Sequence, residues 1–258
     1  MTVYVFDGTM DGLLSAVFNA FLLKEAPERL LTFGDDLPLF CERIYKVKTD
    51  TEKAQRVWSG LEKQLPKEAL RMISTSQLSE LQELWQPLFM LVCKVFRKGK
   101  EVVRNFADPD VLAVTKIARC VAHEAHRIMQ FVRFQKAKDG TYLSVISPDH
   151  NVLPLVVHHF QDRFNDQPWL IYDAHRHYGY HYDSLSPPVR VTFEDEASVP
   201  FSLTDGKLSD DILSNDDQLL QDLWRTYFKA ICIRERLNPR KQLNDMPRRY
   251  WKYLTEKQ

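Results

Sequence analysis

The chain predicts an α+β fold, a small antiparallel sheet packed with a helical block. Three observations lead there. Apolar residues recur with period 3.6 through most of the first half, and the period changes to 2 at Gln130. Long helix-crossed parallel strands are not evident. The order is therefore strand, helices, hairpin–helix–hairpin, helices. The N-terminal strand and the two hairpins are expected to make the sheet.

Residues 2–6 alternate and are β-branched or aromatic, so they read as a strand. Asp7-Gly8-Thr9 turns it, and Thr9 caps a helix with Leu13, Leu14, Val17, Phe18 and Phe21 on its apolar side. Arg43 to Lys48 is a short strand. Thr49-Asp50-Thr51-Glu52 fits a capping box, with Thr49 as the cap, before a helix carrying Ala54, Val57, Trp58 and Leu61. Residues 66–98 read as mostly helical, with Pro66 in a first turn and Pro87 as a kink or break. Asp108-Pro109 starts the clearest helix, which runs to about Met129.

Phe131 to Gln135 and Thr141 to Ile146 flank a turn at Asp139-Gly140, a hairpin signature. Residues 151–164 form a helix. Trp169 to Ala174 and His177 to Asp183 form the second hairpin, and Val189 to Phe193 adds a strand. Residues 218–233 and about 247–255 are helical. The expected division is an α+β core over 1–193 with a helical insertion at 50–129, an acidic loop or linker at 194–217, and C-terminal helices over 218–258 that pack on the core.

With 44% apolar residues and only 8 Gly in 258, the chain has enough apolar material for a well-ordered core. No apolar run approaches the roughly 18 residues of a membrane span. The start lacks a basic region followed by an apolar stretch, so no signal peptide and a cytoplasmic location are expected. Cys41, Cys93, Cys120 and Cys232 form no Cys-x-x-Cys pair, which argues against a zinc ribbon or an iron–sulfur motif. They read as reduced thiols, with Cys93 and Cys120 buried in apolar helices.

Net charge is zero but unevenly spread. Residues 94–138 hold eleven Lys/Arg against four acids, residues 193–223 hold nine acids against Lys207, and residues 231–253 hold seven Lys/Arg against two acids. That pattern suggests a positive face.

All eight histidines lie between His123 and His181. On the helix from Pro109, Val114, Ile117, Ala118, Val121, Ala125 and Ile128 share one side. Lys116, Arg119, His123, His126 and Arg127 share the other, within roughly 100° of arc. Such a row can follow a phosphate backbone; it also reads as the solvated face of an amphipathic helix. His123-Glu124-Ala125-His126 has histidines three apart, not the four of the metalloprotease signature. Asp149, His150, His158, His159, Asp173, His175 and Asp183 could complete a metal site, but spacing fixes no third ligand, and neither metal nor cofactor is expected.

In the second hairpin Tyr178, Tyr180 and Tyr182 share one face. They could stack on unpaired bases or pack within the sheet. Gly179 between two of them suggests a bulge or a close backbone approach. The run from Asn238 through Arg248, Arg249, Tyr250, Trp251 and Lys252 mixes cations with rings, which suits nucleic acid or a docked terminal helix. No phosphate loop, dinucleotide fingerprint, nucleophile elbow, kinase signature or zinc-deaminase pattern occurs.

Phe6-Asp7-Gly8-Thr9-Met10-Asp11-Gly12, Ala107-Asp108-Pro109 with His126 to Phe134, Pro148 to Pro154, Phe160 with Asp162-Arg163-Phe164, Trp169 to Asp173, and Met246 to Leu254 together resemble a bacterial family of DNA-metabolism or DNA-repair proteins, otherwise a domain of unknown function. The resemblance runs in order over nearly the whole chain. It implies a gene neighbour, a radical-SAM protein of DNA modification or repair, and in some bacteria a fused uracil-DNA-glycosylase-like domain. The latter is not expected here, since Leu254 stands four residues from the end. The resemblance assigns no catalytic residue, and any iron–sulfur chemistry it implies would belong to the partner.

Three readings stand. The first is a DNA-binding protein of DNA metabolism and repair that works with a radical-SAM partner. Its phosphate contacts would be Lys116, Arg119, His123, Arg127, Arg133, Arg248 and Arg249, and its stacking groups Tyr178, Tyr180, Tyr250 and Trp251. The second is an enzyme acting on nucleic-acid lesions through His126, Asp149, His150, Asp173 and His175. The third is a protein-only adaptor. Oligomeric state is not legible.

Overall fold

The structure is a computed structural model that describes residues 1–193, 201–202, 205–209, 211–230 and 238–257. Parts of the expected linker (194–200, 203–204 and 210), the end of the expected helix 218–233, and Cys232 lie outside the described residues. The chain forms two compact units, Met1–Ala122 and His123–Gln258.

In the first unit β1 (Thr2–Phe6) is followed by α1 (Met10–Leu23), β2 (Arg29–Thr32) and β3 (Arg43–Lys46). The strand order is β2-β1-β3, with both pairs parallel. This corrects the expected antiparallel sheet: the N-terminal strand is the centre of a separate parallel one. Helix α1 supplies the crossover that parallel pairing of β1 and β2 requires. β2 and β3 have only four residues each, too few to announce a period.

Thr9 caps α1, its hydroxyl accepting from Gly12 N at 3.0 Å. Helix α2 (Thr51–Gln64) is capped by Asp50 instead of Thr49, with Asp50 Oδ1 accepting from Glu52 N and Lys53 N at 3.0 and 3.1 Å. The Thr49 hydroxyl is engaged elsewhere, donating to Asp7 Oδ2 at 2.6 Å. The stretch 66–98 is two helices, α3 (Lys67–Ser76) and α4 (Trp85–Lys98). Pro87 lies in the first turn of α4, where a missing N–H leaves no helical bond unmade, so it starts a helix and breaks none. The core of this unit gathers Phe6, Leu13, Leu61, Ile73, Leu88, Phe89 and Val92.

Helix α5 (Pro109–Phe131) begins as expected, with Asp108 Oδ1 accepting from Asp110 N at 2.9 Å. Val114, Ala118, Val121, Ala125 and Ile128 are buried, while Lys116, Arg119, His123 and His126 are exposed. Cys93 is buried, but Cys120 is exposed, one position before Val121 and off the apolar stripe.

The second unit holds β4 (Gln135–Lys136), β5 (Tyr142–Ile146), α6 (Leu153–Arg163), β6 (Trp169–Asp173), β7 (Tyr178–Tyr182) and β8 (Val189–Val191). They form a mixed sheet in the order β4-β5-β6-β7-β8. β5 and β6 are parallel, joined by α6, and the other pairs are antiparallel. The first hairpin is shorter than expected because α5 continues through Phe131. There the Phe131 ring packs on Tyr250, centroids 5.6 Å apart, and Phe134 stands edge-on to Phe164 at 5.3 Å. The second hairpin pairs Trp169 with Tyr182 and Tyr172 with Gly179. A Cβ at Gly179 would stand 2.6 Å from the Ile171 carbonyl oxygen, so the glycine marks a close backbone approach. α7 (Asn215–Ala230), α8 (Pro239–Asp245) and a 3₁₀ stretch (Arg248–Tyr253) complete the unit. No helix of the described residues is long and apolar enough to cross a membrane.

Candidate functional site

In parallel sheets, ligands gather at the carboxyl ends of the strands. At those ends of β5 and β6 stand the loop 147–152 and the turn 174–177. Two buried carboxylates hold them. Glu124 lies on α5 three residues after Val121 and four before Ile128, which puts it on the apolar stripe, and it is 2% exposed. Its Oε1 accepts from Asp149 N at 3.0 Å, Arg249 Nη2 at 2.8 Å and the Tyr250 hydroxyl at 3.0 Å. Its Oε2 accepts from His150 N at 2.8 Å. A buried charge is tolerable only with a counter-charge and filled lone pairs, and Glu124 has both. Arg249 also pairs through Nη1 with Asp149.

Asp173 ends β6 and is 0% exposed. Its Oδ1 accepts from His175 N and Arg176 N at 2.9 and 3.2 Å, and its Oδ2 from Arg176 Nη1 at 3.1 Å. Arg176 reaches on to the carbonyls of Pro148 and Asp149 at 3.1 and 3.0 Å. The Tyr178 hydroxyl donates to Asn151 Oδ1. Residues 148–151 are thus gripped by α5, by the β6–β7 turn and by the C-terminal 3₁₀ stretch. The grip presents an exposed Asp149 and a half-buried His150.

Burial pushes the Asp173 carboxyl above its ordinary value, with Arg176 opposing. Burial, with the charge of Glu124, pushes the Tyr250 hydroxyl up to about 12. Burial together with Asp173 raises Tyr178. Both tyrosines therefore serve as neutral donors.

Of the candidate chemical residues, Asp149, His150, Asp173 and His175 come together here. His126 does not. Two positions beyond Glu124, about 200° around the helix, it is exposed, and its Nε2 lies 3.0 Å from Gln130 Nε2. Among the described residues no three His, Cys, Asp or Glu side chains group as a metal would need.

The candidate nucleic-acid residues divide. Lys116, Arg119 and Arg248 are exposed cations, and His123 is exposed as well. Arg127 is half-buried, its Nη2 reaching the Asn244 carbonyl at 3.5 Å. Arg133 is committed to Glu256 Oε1 at 2.8 Å and Arg249 to Glu124. Tyr178 and Tyr250 are buried, their hydroxyls on the half-buried Asn151 and the buried Glu124, which leaves neither ring open to stack on a base as expected. Tyr180 is half-buried against Tyr178. Trp251 is half-buried, its Nε1 donating to the Met246 carbonyl at 3.0 Å, with Arg248 and Lys257 over its ring at 5.8 and 4.6 Å.

The model of the domain of unknown function DUF4130 matches residues 82–256, well over half of the chain. The chain belongs to that family. The DUF4130 match takes in α4, α5 and the entire clamp around Glu124 and Asp173. No curated protein matches. Among solved structures, the chain is similar to a pGpG-specific phosphodiesterase, PggH, of Vibrio cholerae, at 11% identity and a TM-score of 0.30, over 89% of this chain and 99% of that one.

Sequence reasoning missed Glu124 and Arg176. A signal for Glu124 existed: it interrupts the stripe Val121, Ala125, Ile128 with a charge, which requires a buried partner. Arg176 carried no comparable signal among so many histidines.

Proposed function

We propose that this DUF4130 protein binds nucleic acid through its second unit and serves DNA metabolism and repair in the cytoplasm. The observation that carries this reading is the meeting of two basic segments far apart in sequence. Arg127 touches Asn244, and Glu124 binds Arg249. These contacts join the stretch of α5 that carries His123 and Arg127 to the segment that carries Arg248 and Trp251. Arg127 and Arg248 offer charge to phosphates, and Trp251 offers an aromatic surface edged by cations. Arg133 and Arg249 position the surface and do not contact the ligand. The radical-SAM partner enters this reading from the family resemblance.

Fluorescence anisotropy with labelled single-stranded and duplex DNA tests it. Affinity should fall steeply with salt. Arg127→Ala with Arg248→Ala should flatten the log–log slope by about 1.4 for single strands and about 1.8 for duplex. The thermal midpoint should hold. No binding at micromolar protein in low salt, or an unchanged slope, would overturn the reading.

A second reading, an enzyme acting on a nucleic-acid lesion, is favoured by the convergence of Asp149, His150, Asp173 and His175 at the carboxyl ends of parallel strands. Asp149 and His150 would transfer protons, and Asp173 would position Arg176. Loss of turnover of a damaged oligonucleotide in Asp149→Asn and His150→Ala, with binding retained, would put this reading first.

A further inference from the structure

At the opposite, amino ends of the same parallel strands lies a second feature. A cavity of about 130 Å³ is lined by Phe134, Tyr142, Phe164, Gln167 and Trp169. Tyr142 of β5 and Trp169 of β6 are register partners, so their side chains leave the sheet on one face. Phe164, just past α6, and Phe134, just before β4, close it. Four of the five walls are rings. The fifth, Gln167, makes no hydrogen bond among the described residues and offers both a donor and an acceptor. Trp169 is 0% exposed and its indole N–H has no accessible surface, so the ring backs the wall and the N–H does not open on the cavity.

The volume is about four times the roughly 30 Å³ a water takes in the liquid, the scale of one planar heterocycle. Two cations stand at the rim, Lys136 Nζ over Tyr142 and the Arg163 guanidinium over Phe164, each 5.8 Å from the ring centroid. Among the described residues no carboxylate lines the cavity. An aromatic cage for an ammonium group needs free ring faces and tolerates no cations beside them, so a cationic guest is disfavoured. A flat guest with hydrogen-bonding edges and an attached anion satisfies every feature.

We propose that this cavity takes a nucleobase turned out of its strand. The base would stack among Phe134, Tyr142 and Phe164, its edge would meet Gln167, and its phosphate would be met by Lys136 or Arg163. That is how enzymes that act on bases read an extruded one. The inference rests on the nucleic-acid reading above and names what is read there.

The experiment uses the full chain and two single-stranded oligonucleotides of equal length, one with bases and one abasic. The base-bearing strand should bind about tenfold tighter, as stacking of one base on aromatic side chains implies. Gln167→Ala should abolish that difference and leave abasic binding unchanged; Gln167 is half-buried beside a turn, so the variant should fold. Equal affinity for both strands, or a difference that survives Gln167→Ala, overturns the pocket while the phosphate surface stands. If neither strand binds, the phosphate surface has failed, and titration with a free nucleoside monophosphate decides the pocket alone. Quenching of tryptophan fluorescence lost in Gln167→Ala supports it, and no quenching overturns it.

Discussion

In the first unit the buried polar residues are neutral: Ser15, Asn19, Thr75, Ser76, Ser79 and Thr115. Ser76 donates to a carbonyl three residues back in its own helix; Ser15 and Thr115 do so four back and also reach Asp50 and Met72. In the second unit Glu124, Asp173 and the Glu256 side chain are buried at 2%, 0% and 3% exposure, each against an arginine. The difference has a physical consequence. A neutral hydroxyl can be satisfied within one turn of its own helix, as Ser76 is. A buried carboxylate must collect several donors, and it draws them from distant segments. Glu124 gathers groups 25, 26, 125 and 126 residues away. Buried charge here is what fixes irregular backbone, and the fixed backbone is the candidate site.

The strongest way to break this contrast is Glu124→Ala. It leaves the Tyr250 hydroxyl and the amides of Asp149 and His150 without their acceptor, and Arg249 with Asp149 alone. A loss of about 3–5 kcal/mol is expected, as for other buried pairs deprived of one member, read by urea denaturation. Ser76→Ala, in the first unit, should lose only about 1 kcal/mol. Equal losses would mean that buried charge has no special part in the second unit.

What the sequence disclosed follows the same division. Features set by local chemistry were legible: the Thr9 and Asp108 caps, the apolar stripe of α5, the Asp139-Gly140 turn, the second hairpin and the tight spot at Gly179. Features set by distant partners were not. Parallel pairing of β1 with β2 and β3, and of β5 with β6, leaves no mark in strands of four or five residues. The acids at Glu124 and Asp173 were visible as residues, but their partners Arg249 and Arg176 lie in other segments. Tyr178 and Tyr250 read equally well as surface or interior rings until their acceptors, Asn151 and Glu124, were placed.

A smaller effect sharpens the contrast through pH. Burial alone would raise Glu256, but the hydrogen bond and charge of Arg133, with a backbone N–H and the Trp224 indole, together outweigh it and hold the carboxyl below the ordinary range. Its contribution is therefore present above the unfolded value of about 4.3 and is lost as pH falls through the lower folded value. Asp173 has the opposite sign: its folded value is raised, so ionising it weighs against the fold as pH rises through that value. Glu256→Gln should cost about 1.5–3 kcal/mol at pH 7, the scale of a hydrogen bond to a charged group. It should also flatten the acid limb of the stability curve. An unchanged acid limb would show that Arg133 does not stabilise the ionised form.

The smallest effect is expected in the first unit, where a charge cluster exists but is redundant. Lys94 Nζ sits between Asp108 Oδ2 at 2.6 Å and Asp110 Oδ2 at 2.7 Å. The hydrogen bond from Lys94 holds the Asp108 carboxyl below its usual range. Asp108→Ala removes the cap of α5 and one of two counter-charges. Lys94 keeps Asp110, and all three side chains retain access to water, so no uncompensated charge is left behind. The loss should be that of a helix cap, about 1 kcal/mol, read by the same urea titration. A loss approaching that of Glu124→Ala would show that the Lys94 cluster organises the first unit as firmly as Glu124 organises the second, and the contrast between the units would fail.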